Sequence, residues 1–92
     1  MEPKCEFNPQ AKKFFITENG KQAFIQYIDV DSNTINYTNT YVPPELRGRG
    51  IAAKLVEAAL AKARLDGKKV TASCSYVKSY LETHPEFQDL TV

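Results

Sequence analysis

The run Arg47-Gly48-Arg49-Gly50-Ile51-Ala52 places two glycines and two arginines where a β-prone stretch, Thr34 to Val42, gives way to a helical one. The start of a helix presents several backbone N–H groups with no intrahelical partner, and the helix dipole adds partial positive charge there. Glycine lets backbone approach a ligand oxygen with no Cβ in the way. The chemistry this suits is anion binding, above all of a phosphate. A second reactive candidate is Cys74, between a short β-prone run and another helical one, where free N–H groups favour a thiolate. Each has a plainer rival: glycines that only shape a tight loop beside solvated arginines, and a cysteine that is an inert buried thiol.

Three strands must lead into that turn. Lys13 to Thr17 is β-prone and ends at Glu18-Asn19-Gly20, a strong hairpin signal. Gln22 to Val30 alternates, with Ala23, Ile25 and Tyr27 on one face and Phe24 and Ile28 on the other, and breaks at Asp31-Ser32-Asn33. From Thr34 to Val42 the alternation puts Ile35, Tyr37, Asn39 and Tyr41 on one face and Asn36, Thr38, Thr40 and Val42 on the other, until Pro43-Pro44 ends the strand. Beyond Gly50, Ala52, Leu55, Val56, Ala59 and Ala63 recur at helical spacing, and Asp66-Gly67 closes that helix. Val70 to Cys74 reads as a fourth strand, Ser75 as an N-cap, and Tyr76 to His84 as a short helix stopped by Pro85. The expectation is an α+β fold, order β-β-β-α-β-α, with one domain over residues 1–92.

Composition narrows the partners. Twelve Lys and Arg against 11 Asp and Glu give a formal net charge of +1, so no global field attracts nucleic acid or an anionic membrane. No apolar run approaches the roughly 20 residues needed to cross a bilayer, and the N-terminus leads into no signal-like segment, so the expected compartment is the cytoplasm. Two cysteines far apart and a single histidine, His84, cannot assemble a Cys/His zinc site, and no metal is expected.

Gly48 to Ala53 also satisfies G-x-G-x-x-A, the dinucleotide fingerprint, but that motif opens a fold of parallel strands, whereas antiparallel hairpins precede it here. The same residues read as Arg47-x-x-Gly50-x-Ala52, which resembles the pyrophosphate-loop signature of the GNAT superfamily of acyl-CoA N-acetyltransferases, in which the loop follows a strand and opens the central helix. The strings "VPPELRGRGIAAKLVEAAL" and "KVTASCSYVKSYLETHPEF" are similar to a very small branch of that superfamily. The resemblance implies a GNAT-like mixed sheet with a central helix and a short C-terminal helix packed on it. It implies acetyl-CoA or coenzyme A as co-substrate, its diphosphate on Arg47, Gly48, Arg49, Gly50, Ile51 and Ala52, and its pantetheine arm along Tyr41 and Val42 like an added strand.

By the same resemblance Cys74, in "CSYV", is the candidate reactive residue, as acyl acceptor or as proton donor to the leaving thiolate. Tyr76 and Tyr80 fall on the helix that carries a thiolate-protonating tyrosine in larger relatives, and packing is the competing role for each. Asn39 stands where small-branch members often have histidine, and Ala72 where many have proline. His84 fits a helix C-terminus better than catalysis. The implied function is N-acetylation of an unidentified amine or protein by a monomer or weak dimer. Its rivals are a coenzyme A-binding module without turnover and a nucleic-acid-binding domain using Arg47, Arg49, Lys68 and Lys69, which the near-neutral charge disfavours.

Overall fold

The computed structural model describes residues 4–91, and in it a five-stranded mixed sheet carries two helices. Strands β1 (Glu6–Asn8), β2 (Lys13–Glu18), β3 (Lys21–Asp31) and β4 (Thr34–Tyr41) form an antiparallel run; β5 (Lys69–Ala72) pairs with β4 in parallel. Helices α1 (Ile51–Leu65) and α2 (Ser75–Thr83) precede and follow β5. The expected order is present, with β1 added at the sheet edge and 3-10 turns at Pro44–Leu46 and Pro85–Leu90. β1 escapes a pattern search because it is three residues long, yet its Phe7 stacks on Phe14 of β2 at 4.6 Å between ring centroids.

Local chemistry sets most boundaries. Asn19 and Gly20 both take positive φ, 54° and 74°, the backbone a two-residue hairpin turn needs to match strand twist. Asp31 Oδ1 accepts the Asn33 N–H at 2.8 Å and closes the β3–β4 turn. Helix α1 buries Ile51, Leu55, Val56, Ala59, Leu60 and Ala63. It ends with Lys68 N–H on the Ala63 carbonyl and Gly67, at φ 69°, on that of Arg64, a left-handed helix stop. The buried side chains of β2, β3, β4, β5, α1 and α2 form one apolar cluster, in which the Tyr37 hydroxyl donates to the Ala59 carbonyl at 2.8 Å.

The alternation expected in the third long strand does not persist. Tyr27 pairs with Tyr37 and Gln26 with Asn39, so Thr38 is an extra residue, a β-bulge that shifts the register. Pairing continues as Ile25 with Thr40 and Phe24 with Tyr41. Thr40 therefore shares the core face with Tyr37, while Asn39 and Tyr41 turn to the opposite face. This corrects the reading that grouped Tyr37 with Asn39 and Tyr41. Two boundaries also move: β5 ends at Ala72 rather than Cys74, and the N-cap of α2 is Cys74, with Ser75 already helical.

Candidate functional site

At the start of α1 the chain turns through two left-handed glycines, Gly48 at φ 82° and the N-cap Gly50 at φ 73°. A left-handed backbone costs little only for glycine, which explains why both positions carry it. A Cβ at either would meet no protein atom within 4 Å, so the space beside them is open. The first α1 bond runs from the Lys54 N–H to the Gly50 carbonyl at 3.1 Å. No described residue accepts a hydrogen bond from the N–H groups of Gly48, Arg49, Gly50, Ile51, Ala52 or Ala53. Four of these, from the N-cap Gly50 to Ala53, are the unpaired donors of a helix start, a cradle of the kind that suits an anion.

A cleft of ≈ 410 Å³ opens on this cradle, lined by Val42, Leu46, Arg47, Gly48, Gly50, by Ile51, Ala52 and Ala53 of α1, and by Tyr76 of α2. Arg47 is drawn back toward β4, its Nε donating to the Val42 carbonyl at 3.1 Å. Arg49 does not line the cleft; its Nη1 lies 3.0 Å from Glu18 Oε1. A second concavity of ≈ 310 Å³, between β5, α2 and the C-terminal turn, gathers none of the expected site residues.

Along β4 from the cleft, the sheet forks. β4 and β5 pair only from Thr34 with Lys69 to Tyr37 with Ala72, after which no described strand lies beside Thr38–Tyr41 on that side. The Tyr37 carbonyl accepts both the Ser73 N–H at 3.0 Å and the Cys74 N–H at 3.2 Å, which ends the ladder and pins Cys74 at the fork. The Cys74 thiol donates to Thr40 Oγ1 at 3.4 Å. Partial burial pushes this thiol up, but the Thr40 hydroxyl and the N–H groups of Val77 and Tyr76 favour the thiolate more, leaving it below its ordinary 9.0. Cys5 moves the other way, raised first by burial and then by Glu6.

The structure thus brings Val42, Arg47, Gly48, Gly50, Ile51 and Ala52 to one cleft. Tyr41 shares the strand, but its ring packs on Phe24 at 5.7 Å on the opposite face and only its backbone is available to the fork. Cys74 stands further along β4, at Thr40. Tyr80 is a packing residue, its ring 3.7 Å from that of His84, which caps α2 with Nδ1 2.8 Å from the Tyr80 carbonyl. Asn39 bonds Gln26 Oε1 at 3.4 Å. Leu46, Ala53 and Thr40 were not anticipated. Ala53 was legible as the next free N–H of the helix, whereas Thr40 becomes visible only once the bulge is known.

Comparison with known proteins is consistent across sequence and shape. A family model described as a GCN5-related N-acetyl-transferase matches residues 13–90. Protein NATD1 of Mus musculus is 31% identical over 84 residues, covering 89% of this chain and 76% of that protein. Protein NATD1 of Xenopus tropicalis is 30% identical over 84 residues, covering 89% and 77%. A GCN5-like protein from Staphylococcus aureus, solved in solution by NMR, superposes with a TM-score of 0.77 at 37% identity, over 97% of this chain and 87% of that one.

Proposed function

The chain belongs to the GCN5-related N-acetyltransferase family, and we propose that it is a single acyl-CoA-binding unit that transfers an acetyl group from acetyl-CoA to an amine. The observation that carries the binding half is the cradle of free N–H groups from Gly50 to Ala53, opening on an apolar cleft of a size suited to a small ligand. Those donors take the diphosphate. The exposed backbone of Thr38–Tyr41 and Val42 takes the extended pantetheine arm, as a strand edge takes a peptide. The arm's amides satisfy backbone groups that β5 leaves unpaired.

Cys74 is where that path along β4 ends, and its thiolate is the nucleophile. It attacks the thioester carbonyl; a bond forms between Cys74 Sγ and the acetyl carbon, the bond to the cofactor's sulfur breaks, and the departing thiolate takes a proton from water. The acceptor amine, arriving deprotonated, then attacks the S-acetyl group and Cys74 leaves as thiolate, the extra proton on nitrogen passing to solvent. Thioester exchanges for thioester in the first half, so little free energy changes before the amide forms.

The second reading is a coenzyme A-binding module without turnover. It is favoured by the absence, among the described residues, of an imidazole or carboxylate hydrogen-bonded to Cys74. Calorimetry and thermal melting with coenzyme A and acetyl-CoA test what both readings share. At about a hundredfold excess over Kd, linkage stabilises the fold by roughly 2.7 kcal/mol. No heat and no melting shift with either compound would end both.

A further inference from the structure

We propose that Thr40 is the positioning residue of Cys74, with its hydroxyl holding the sulfur in the β4–β5 fork and reversing its hydrogen bond when the thiol ionises. This rests on the reading of Cys74 as the reactive group, and it adds a residue that neither the sequence pattern nor that reading names.

The geometry comes from the bulge. In a regular strand, residues three apart, such as Tyr37 and Thr40, point to opposite faces, so Thr40 would turn its hydroxyl away from the core side on which the Tyr37 ring lies and Cys74 packs. The extra residue Thr38 restores them to a common face, as their partners Tyr27 and Ile25 show. β4 therefore grips Cys74 twice, the Tyr37 carbonyl on its N–H at 3.2 Å and the Thr40 hydroxyl on its sulfur at 3.4 Å. A threonine suits this because its hydroxyl can accept or donate and its χ1 is restricted by branching. With the thiol protonated, Thr40 accepts from sulfur. With the proton lost to solvent, Thr40 rotates its O–H to donate, and a hydrogen bond to a charged acceptor is the stronger of the two.

The surroundings leave this hydroxyl a large share of the control. The elements packed around the sulfur are β4, the end of β5 and the first turn of α2. The titratable side chains on these segments are Tyr37, whose hydroxyl is turned to the Ala59 carbonyl, Tyr41, which faces away against Phe24, and Tyr76 and Lys78 of α2. What lowers the thiol is Thr40 together with the Val77 and Tyr76 N–H groups, acting against burial.

The experiment is the pH dependence of iodoacetamide alkylation in a Cys5→Ser background, comparing Thr40, Thr40→Val and Thr40→Ser. Valine keeps the shape and removes the hydroxyl; serine keeps the hydroxyl. The expected result is a higher alkylation midpoint in Thr40→Val, with alkylation at pH 7 slowed roughly three- to tenfold, and recovery of most of the rate in Thr40→Ser. Because serine substitutes without adding volume, it reports even if valine perturbs folding: a serine variant with the wild-type midpoint supports the proposal, and one matching a valine-like shift opposes it. A folded Thr40→Val protein that titrates like the parent overturns it. Acetyl-CoA treatment followed by intact-mass measurement separates the two ideas. A shifted midpoint without any acetyl adduct keeps the Thr40 coupling and removes the acyl-enzyme; an adduct with an unshifted midpoint does the reverse.

Discussion

Arg49 Nη1 lies 3.0 Å from Glu18 Oε1, while Glu18 Oε2 is buried and accepts no hydrogen bond from any described residue. The tip of the β2–β3 hairpin thereby ties down one of the two arginines of the glycine turn that opens α1. The pair is half exposed on the arginine side and contributes at most about 1 kcal/mol to stability. Its larger effect is on charge, since Arg49 reaches an incoming diphosphate only by leaving Glu18. Glu18→Gln frees Arg49 and removes a poorly solvated carboxylate, so coenzyme A should bind several-fold tighter with a steeper salt dependence. Unchanged or weaker calorimetric affinity would show that Arg49 takes no part.

Gly50 offers a test with a built-in control. Gly50 and Gly67 have nearly equal positive φ, 73° and 69°, and neither has a protein atom within 4 Å of a would-be Cβ. Valine at either costs backbone strain of about 1–2 kcal/mol. Only Gly50 borders the cleft. Gly50→Val should lose coenzyme A binding tenfold or more while Gly67→Val melts similarly and binds normally; equal binding by both places the ligand elsewhere.

Cys74→Ala removes the proposed nucleophile and leaves the N–H groups at the start of α1 intact. The variant should fold within about 1 kcal/mol of the parent and bind coenzyme A unchanged. Intact-mass analysis of the parent with acetyl-CoA should show one labile acetyl group at Cys74, its formation rising with pH through a midpoint below 9.0. Full transfer activity in the alanine variant would reduce this cysteine to packing.

Tyr37 predicts an alkaline limit to stability. Burial, with a smaller push from Tyr27, raises its phenol far above the ordinary 10.0. A folded pKa above the unfolded one contributes stability below the unfolded value that is lost as pH rises through and beyond it, so the protein weakens in base. Tyr37→Phe should cost about 1 kcal/mol at neutral pH by removing the bond to the Ala59 carbonyl, and should flatten that decline. A denaturation series from pH 8 to 11 that keeps the full decline in the variant would assign it to other groups.

What was legible in the sequence was what is local. The Asn19-Gly20 turn, the helical stripe from Leu55 to Ala63 and the glycines that open α1 each declare themselves within a few residues. What was hidden depended on the other side of a contact. The Thr38 bulge is a matter of register against β3, so the faces of Asn39, Thr40 and Tyr41 were read inverted. Serine is the better N-cap by type, yet the two hydrogen bonds that Ser73 and Cys74 N–H donate to the Tyr37 carbonyl end β5 early and hand that position to Cys74. The partner of Arg49 lies more than one hairpin away, and no pattern near the turn points to Glu18.

The two rims of the sheet differ from its interior gap. One rim, β1, is three residues long and followed by Pro9; the other, β5, is four residues long, and Thr91 bridges to its Val70. Neither offers a long flat ladder to a neighbouring molecule, so edge-to-edge stacking into fibrils has little to build on. Free backbone lies inside the fork as well, at Thr38–Tyr41 beside Cys74 at the head of α2. Flanked by β4 on one side and the head of α2 on the other, that gap has the width of a slender single chain rather than of another protein's sheet.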